Sequence, residues 1–363
     1  MPTPPNPTLP QPPTRFKQKH ARASRTGAYW ANLLKLNVFS GRAAACDKRA
    51  GRGRAAQRAI SPCALFLDKV WKHHGSLPLE CFMTAQHGPT RPIGIFDSGM
   101  GGLTVLRALR DRLPGESFCY LGDTARLPYG TKSADTVARY SRQAAAKLVE
   151  RGIKMLVIAC NTATSAALQV LRSHFAPLPV IGVIEPGAAA ACDASRSGHI
   201  AVIATEGTIR GGAYQRAIHA RRPEAVITGR ACTLFVPLAE EGWLDGEVVR
   251  GVAARYLDPI FHPAAQPGGE VPAPPDTLLL GCTHFPPLRP CLQDVVGPDV
   301  RLVDSAATTA DAVAGELARQ GMQAEQGGHL HFLTTDDAAR FAQVGGLFLG
   351  APIAAADVEK VDL

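Results

Sequence analysis

The sequence predicts an α/β protein built from doubly wound βαβ units, and three observations predict it. From Pro92 onward, short apolar runs alternate with helical patterns at the spacing of strand–helix–strand units. Runs such as Lys154–Ala159 are apolar almost throughout, as in parallel strands covered on both faces. A chain of 363 residues that is 46% hydrophobic and 19% charged can also bury a sizeable core.

The elements follow in order. Pro92–Phe96 reads as a strand that ends in Asp97-Ser98-Gly99-Met100-Gly101-Gly102, and Leu103–Leu113 as a helix. Ser117–Leu121 is the second strand, Ala134–Arg151 a long amphipathic helix, and Lys154–Ala159 a buried strand. Thr162–His174 is helical and Pro179–Ile184 the next strand. The alternation continues through His199–Ala204, a helix from about Thr208, Ala225–Thr228, a helix over Gly246–Leu257, and Thr277–Leu280. Arg301–Val303 and Leu330–Leu333 are the last predicted strands. Pro263–Pro275 reads as a solvated Pro/Gly/Ala loop that interrupts no domain.

Residues 1–82 differ in texture. Pro-rich and then Arg/Ala/Gly-rich stretches show neither a helical nor a strand period. This leader, taken to about residue 85, is expected to be a disordered extension or an upstream read-through, with the working start at Met83. It also accounts for the basic balance of the chain. Through Phe82 there are 14 Lys/Arg against 3 Asp/Glu, whereas the remainder carries 25 against 28. A slightly acidic body excludes a nucleic-acid groove in the folded part, and contact between the leader and nucleic acid is not expected.

Nine scattered cysteines, without a CxxC pair, argue against structural zinc and against a disulfide framework, and fit a reducing cytoplasm. No apolar run reaches the roughly 18 residues of a membrane-spanning helix. The first residues lack the order of a secretory signal.

Two segments carry the chemistry. Met155-Leu156-Val157-Ile158-Ala159-Cys160-Asn161-Thr162 and Thr277-Leu278-Leu279-Leu280-Gly281-Cys282-Thr283-His284 share one plan: a buried strand, a small residue, a cysteine, then polar residues. Ligands of doubly wound folds sit at the carboxyl ends of strands. A following helix N-terminus is expected to stabilise a thiolate and lower the cysteine's pKa. Either cysteine alone reads as a small buried hydrophobe, but the duplication favours a pair of functional thiols.

Asp97-Ser98 stands at a third strand end, before glycines that permit close backbone approach. It is not a GxGxxG site, and by itself reads equally as a helix cap. The loop from Leu121 to Lys132 contains Pro128-Tyr129-Gly130, a surface turn unless it covers a pocket. Glu240 follows an apolar run and reads alone as an exposed helical residue. His284, two residues after Cys282, can orient that thiol or share its proton.

Taken together, PIGIFDSGMGGLTV, LGDTARLPYGTKS, ACNTATS, VIGVIEPG and LLGCTHFPPL resemble the bacterial glutamate racemases of the aspartate/glutamate racemase superfamily. The resemblance spans about Pro92 to Gly350, including Val303-Asp304-Ser305 and Leu333-Thr334-Thr335. The leader and the Pro-rich loop are the departures, and neither touches a motif.

That resemblance implies two similar doubly wound α/β domains with the active site between them. The first would comprise 90–184 plus 300–350 and the second 185–299, with crossings near Glu185 and Val300. It implies racemisation of glutamate by two opposed thiols, feeding D-glutamate to peptidoglycan synthesis, with no cofactor and no metal. Cys160 would take the proton from the D-enantiomer and Cys282 from the L-enantiomer. Asp97 would assist Cys160, and Glu240 and His284 would assist Cys282. Asp97, Ser98, Tyr129, Gly130, Asn161, Thr162, Thr283 and His284 would hold the substrate. The expected partners are glutamate and, in a homodimer, a second copy of the chain. Three other readings stay open on the residues: an aspartate racemase or related two-cysteine isomerase, a thiol hydrolase with one nucleophilic cysteine, and a non-catalytic amino-acid-binding or partner-inhibiting protein.

Overall fold

The computed structural model describes residues 88–263 and 273–363. The leader through residue 85, and most of the Pro-rich loop at 263–275, lie outside the described residues. The elements are β1 (Ile93–Asp97), α1 (Leu103–Arg112), β2 (Phe118–Gly122), α2 (Ala134–Glu150), β3 (Met155–Ile158), α3 (Asn161–His174), β4 (Val180–Gly182), α4 (Ile184–Ala194), β5 (His199–Ala204), α5 (Glu206–Gly211), α6 (Ala213–Arg221), β6 (Val226–Ala231), α7 (Phe235–Glu240), α8 (Glu247–Phe261), β7 (Thr277–Gly281), α9 (Arg289–Val296), β8 (Arg301–Asp304), α10 (Ser305–Gln320), β9 (Leu330–Thr334), α11 (Ala338–Leu349) and β10 (Val358–Lys360).

The strands form two sheets, one of order β10-β9-β2-β1-β3-β4 and one of order β6-β5-β7-β8, and every pairing is parallel. The period of two along each strand explains why both faces are covered. In the first sheet Ile93, Ile95, Met155 and Val157 pack with Leu106 of α1 and Val313 of α10. Their neighbours Phe96, Leu156 and Ile158 face the other way, onto Ala145 and Leu148 of α2 and Ala167 of α3. The second sheet repeats the plan. Ile203, Leu278 and Leu280 bury against α8 and α9, and Ile200, Val202 and Leu279 against α4 and α6. Each such side chain contributes roughly 1.5–3 kcal/mol of transfer free energy.

The structure departs from the sequence reading at four places. Arg301–Asp304 pairs in register with Thr277–Leu280 of the second sheet, so the chain returns to the first lobe after Asp304 rather than near Val300. Its vehicle is α10, which packs on α1 and α4. The first lobe also continues past 350, because β10 pairs with Phe332–Thr334. This mixed three-residue edge strand has no periodic signal to read. Ile184 opens α4 instead of closing β4. The helix expected from about Thr208 is two short helices, broken where Gly212 takes φ +61°. Among the described residues, no helix is long and apolar enough to cross a membrane.

Candidate active site

Because all strands of a parallel sheet point one way, their carboxyl ends collect polar residues at one edge. Asp97 closes β1 and Ser98 follows it, Cys160 follows β3, Thr205 follows β5 and Cys282 follows β7. The two lobes turn these edges toward one pocket, lined by Ser98, Cys160, Thr205, Glu240, Cys282 and His284 among others. The pocket is small, about 30 Å³. Two larger grooves, of about 500 and 760 Å³, contain neither thiol.

Cys160 caps α3. The Ala163 N–H donates to its sulfur at 3.4 Å, and the thiol donates to Ser98 Oγ at 3.6 Å. The helix terminus does not make it a resting thiolate. Burial and the nearby Asp97 charge disfavour the anion, and the pKa is pushed up to about 12 despite the Ala163 and Ser98 contacts. The expected lowering of this pKa is thereby reversed: at 5% exposure, lost hydration outweighs one amide and a partial helix charge.

Cys282 lies in different company. A turn and a single 3₁₀ segment, Pro286–Leu288, separate it from α9, so no helix N-terminus faces it. The expectation of one fails because two prolines follow His284-Phe285 directly. Its neighbour is His284, whose Nδ1 lies 3.9 Å from the sulfur and whose Nε2 lies 3.0 Å from Glu240 Oε1 at the end of α7. Burial opposes an imidazolium, but hydrogen bonds to Cys282 and Glu240, with the negative charges of Cys282 and Asp97, raise the His284 pKa to about 10. At neutral pH the ring is therefore a cation between a carboxylate and a sulfur.

The glycines after β1 make this approach possible. A Cβ on Gly101 would fall on the His284 ring and 2.6 Å from Thr283 Oγ1. Thr104, one helical turn on, donates to the Thr283 carbonyl at 3.2 Å and ties the lobes at the same point. Asp97 is wholly buried. Its Oδ2 accepts the Gly99 N–H at 3.0 Å, while Oδ1 has no hydrogen-bond partner. Burial raises its pKa, partly offset by the His284 charge and backbone amides. It reaches Cys160 through its charge, and Ser98 is the residue hydrogen-bonded to the thiol.

The predicted substrate-holding residues divide. Ser98, Gly130, Asn161, Thr162, Thr283 and His284 line the pocket. Tyr129 lines it too, but its hydroxyl donates to Asp123, which Arg126 also holds at 2.7 Å. That hydroxyl is spent, so the segment can offer a ligand only its ring and backbone. Sequence reasoning missed Thr205 and Thr208, whose hydroxyls lie 2.9 and 3.2 Å from Thr162 Oγ1 across the lobes. Thr205 stands at a strand end, as Asp97 and the cysteines do, and Thr205-Glu206-Gly207-Thr208 has a capping spacing; those signals could have found it. Tyr214 was also missed, and nothing local marks it.

A family model described as Asp/Glu/Hydantoin racemase matches residues 102–313. A glutamate racemase of Geobacter metallireducens is 50% identical over 280 residues, covering 76% of this chain and 98% of that protein. The crystal structure of a glutamate racemase isoform from Bacillus anthracis superposes with a TM-score of 0.68 at 35% identity, covering 75% of this chain and 98% of that one. A glutamate racemase from Francisella tularensis, solved in complex with D-glutamate, gives a TM-score of 0.68 at 33% identity over 76% and 98% of the two chains.

Proposed function

This chain belongs to the Asp/Glu/Hydantoin racemase family, and we propose that it interconverts L- and D-glutamate by passing the Cα proton between Cys160 and Cys282. The observation that carries the reading is one pocket that receives a cysteine from each lobe, each at a strand end. Inverting a carbon requires a base on one face and an acid on the other, which two thiols supply.

For L-glutamate, Cys282 acts as thiolate and removes the Cα proton. His284, held by Glu240, stands beside that sulfur. Cys160, kept as a thiol by burial and by Asp97, delivers a proton to the opposite face. D-glutamate runs the steps backward, starting from a Cys160 thiolate. Ser98, Asn161, Thr162 and Thr283, with the backbone at Tyr129-Gly130, hold the ammonium and carboxylate groups. Closure of the lobes excludes water and strengthens these contacts. No step draws on a cofactor. D-glutamate formed in this way serves peptidoglycan synthesis.

The test is circular dichroism of L-glutamate incubated with the protein and no added cofactor. The expected result is decay of ellipticity to zero with the amount of glutamate unchanged. Constant ellipticity, or a product with a cleaved bond as a thiol hydrolase would give, overturns the reading. L-aspartate in parallel is expected to turn over far more slowly; faster aspartate turnover removes the substrate assignment and keeps the two-thiol chemistry. A cytoplasmic setting accords with six described cysteines that are all unpaired. A homodimer is the proposed assembly, to be checked by sedimentation.

A further inference from the structure

Tyr214 joins the two cysteine segments. It comes from α6, remote in sequence from either thiol, and is fully buried. Its hydroxyl donates to Asn161 Oδ1 at 2.6 Å, one residue past Cys160. Its ring lies against Gly281, one residue before Cys282, where an added Cβ would come 2.9 Å from Tyr214 Cε2. Ser305, the first residue of α10, stands beside the same phenol. Gly187 leaves space for both, since a Cβ there would sit 3.2 Å from Ser305 Cβ and 3.3 Å from the phenol oxygen.

The direction of the bond to Asn161 matters. A phenol has one proton to give. Asn161 Oδ1 can only accept, so that proton goes to it. The amide is then held with its NH₂ turned away from Tyr214. Asn161 is 3% exposed, lines the pocket beside Cys160, and its Nδ2 has no hydrogen-bond partner. A buried donor left unpaired is costly, and in a substrate pocket it marks where a ligand's acceptor belongs.

We propose that Tyr214 is a positioning residue: acting through Asn161, it fixes the amide so that Nδ2 donates to a carboxylate oxygen of the bound amino acid. This rests on the racemase reading above. Without the phenol hydroxyl the amide is free to turn and present Oδ1, an acceptor that repels a carboxylate. The loss then falls on substrate binding rather than on proton transfer.

The experiment is a double-mutant cycle on the full chain with Tyr214→Phe, Asn161→Ala and the pair, reading kcat, KM and melting temperature. Phenylalanine keeps the ring on Gly281 and removes only the hydroxyl. Each single variant is expected to raise KM by about tenfold or more, with kcat changed much less, as for the loss of one hydrogen bond to a charged group. The double variant is expected to be within about twofold of Asn161→Ala, because Tyr214 acts through the residue already removed. A wild-type KM for Tyr214→Phe, or losses that multiply in the double variant, overturns the proposal. If Asn161→Ala does not fold, Asn161→Ser closes the same cycle. Failure of the unmodified protein to invert glutamate overturns the racemase reading itself, and is seen before any variant is made.

Discussion

Cys160 and Cys282 stand at the ends of equivalent strands in the two lobes, yet their surroundings are opposite in kind. Cys160 caps a helix among a serine, an amide and a buried carboxylate, and its thiol is pushed up to about 12. Cys282 faces a histidine cation backed by Glu240. On the proposed mechanism, the difference gives the two ends of one pocket different partners: a buried neutral thiol at Cys160, and a sulfur beside a histidine at Cys282. Two identical thiols in identical surroundings would share one protonation state, and a one-step relay needs two.

The largest effect expected on this comparison comes from removing either sulfur. Cys160→Ser and Cys282→Ser should each lower racemisation by about 10³-fold or more, since a serine hydroxyl is too weak an acid to replace the missing group. Enantiomers have equal free energy, so kcat/KM must fall equally in both directions and cannot show which base was lost. An analogue with a leaving group at Cβ can, because proton removal then leads to irreversible elimination. Cys160→Ser should eliminate only from the L-like analogue and Cys282→Ser only from the D-like one. A single variant that processes both analogues equally breaks the assignment.

A smaller and more selective effect is expected at His284. His284→Asn should lower elimination from the L-like analogue by about 10²-fold while the D-like rate, which starts at Cys160, falls less. Equal losses would mean that the histidine serves both faces, and the contrast between the two ends would fail.

The pH dependence of stability sharpens the same contrast. The His284 pKa is raised from the ordinary 6.5 to about 10 in the folded protein. Its contribution to stability is therefore fully present below pH 6.5 and is lost as pH rises through about 10. Melting temperatures across that window should decline more in the wild type than in His284→Asn. Parallel curves for the two proteins would contradict a charged resting histidine.

The smallest effect expected is from the leader. A chain starting at Met83 should keep its specific activity within about twofold, because both cysteine environments are assembled from Asp97 onward. A tenfold loss would mean that residues before Met83 take part in the enzyme.

Much of the architecture was legible because period and burial are local properties. Lys154–Ala159 and Thr277–Leu280 read as buried strands from their runs alone, and His199–Ala204 matches its observed bounds. β10 was not legible, since Val358–Lys360 becomes a strand only by pairing with β9. The return point was misplaced for a related reason: Arg301–Asp304 carries no mark of which sheet it joins.

At the site, the amino acids by themselves determined which groups are available: two thiols, a carboxylate at Asp97, and a histidine two residues after a cysteine. Motif resemblance added their pairing. What only tertiary structure decided is the state and aim of those groups. A helix terminus argued for a low pKa at Cys160, but burial reversed it. Tyr129 reads as a ligand for substrate until Asp123 is found holding its hydroxyl. Tyr214 lies 54 residues after Cys160 and 68 before Cys282, yet touches the neighbours of both. Hydration, charge and hydrogen-bond direction depend on what surrounds a group in space, and those surroundings are set by the packing of two lobes rather than by neighbours along the chain.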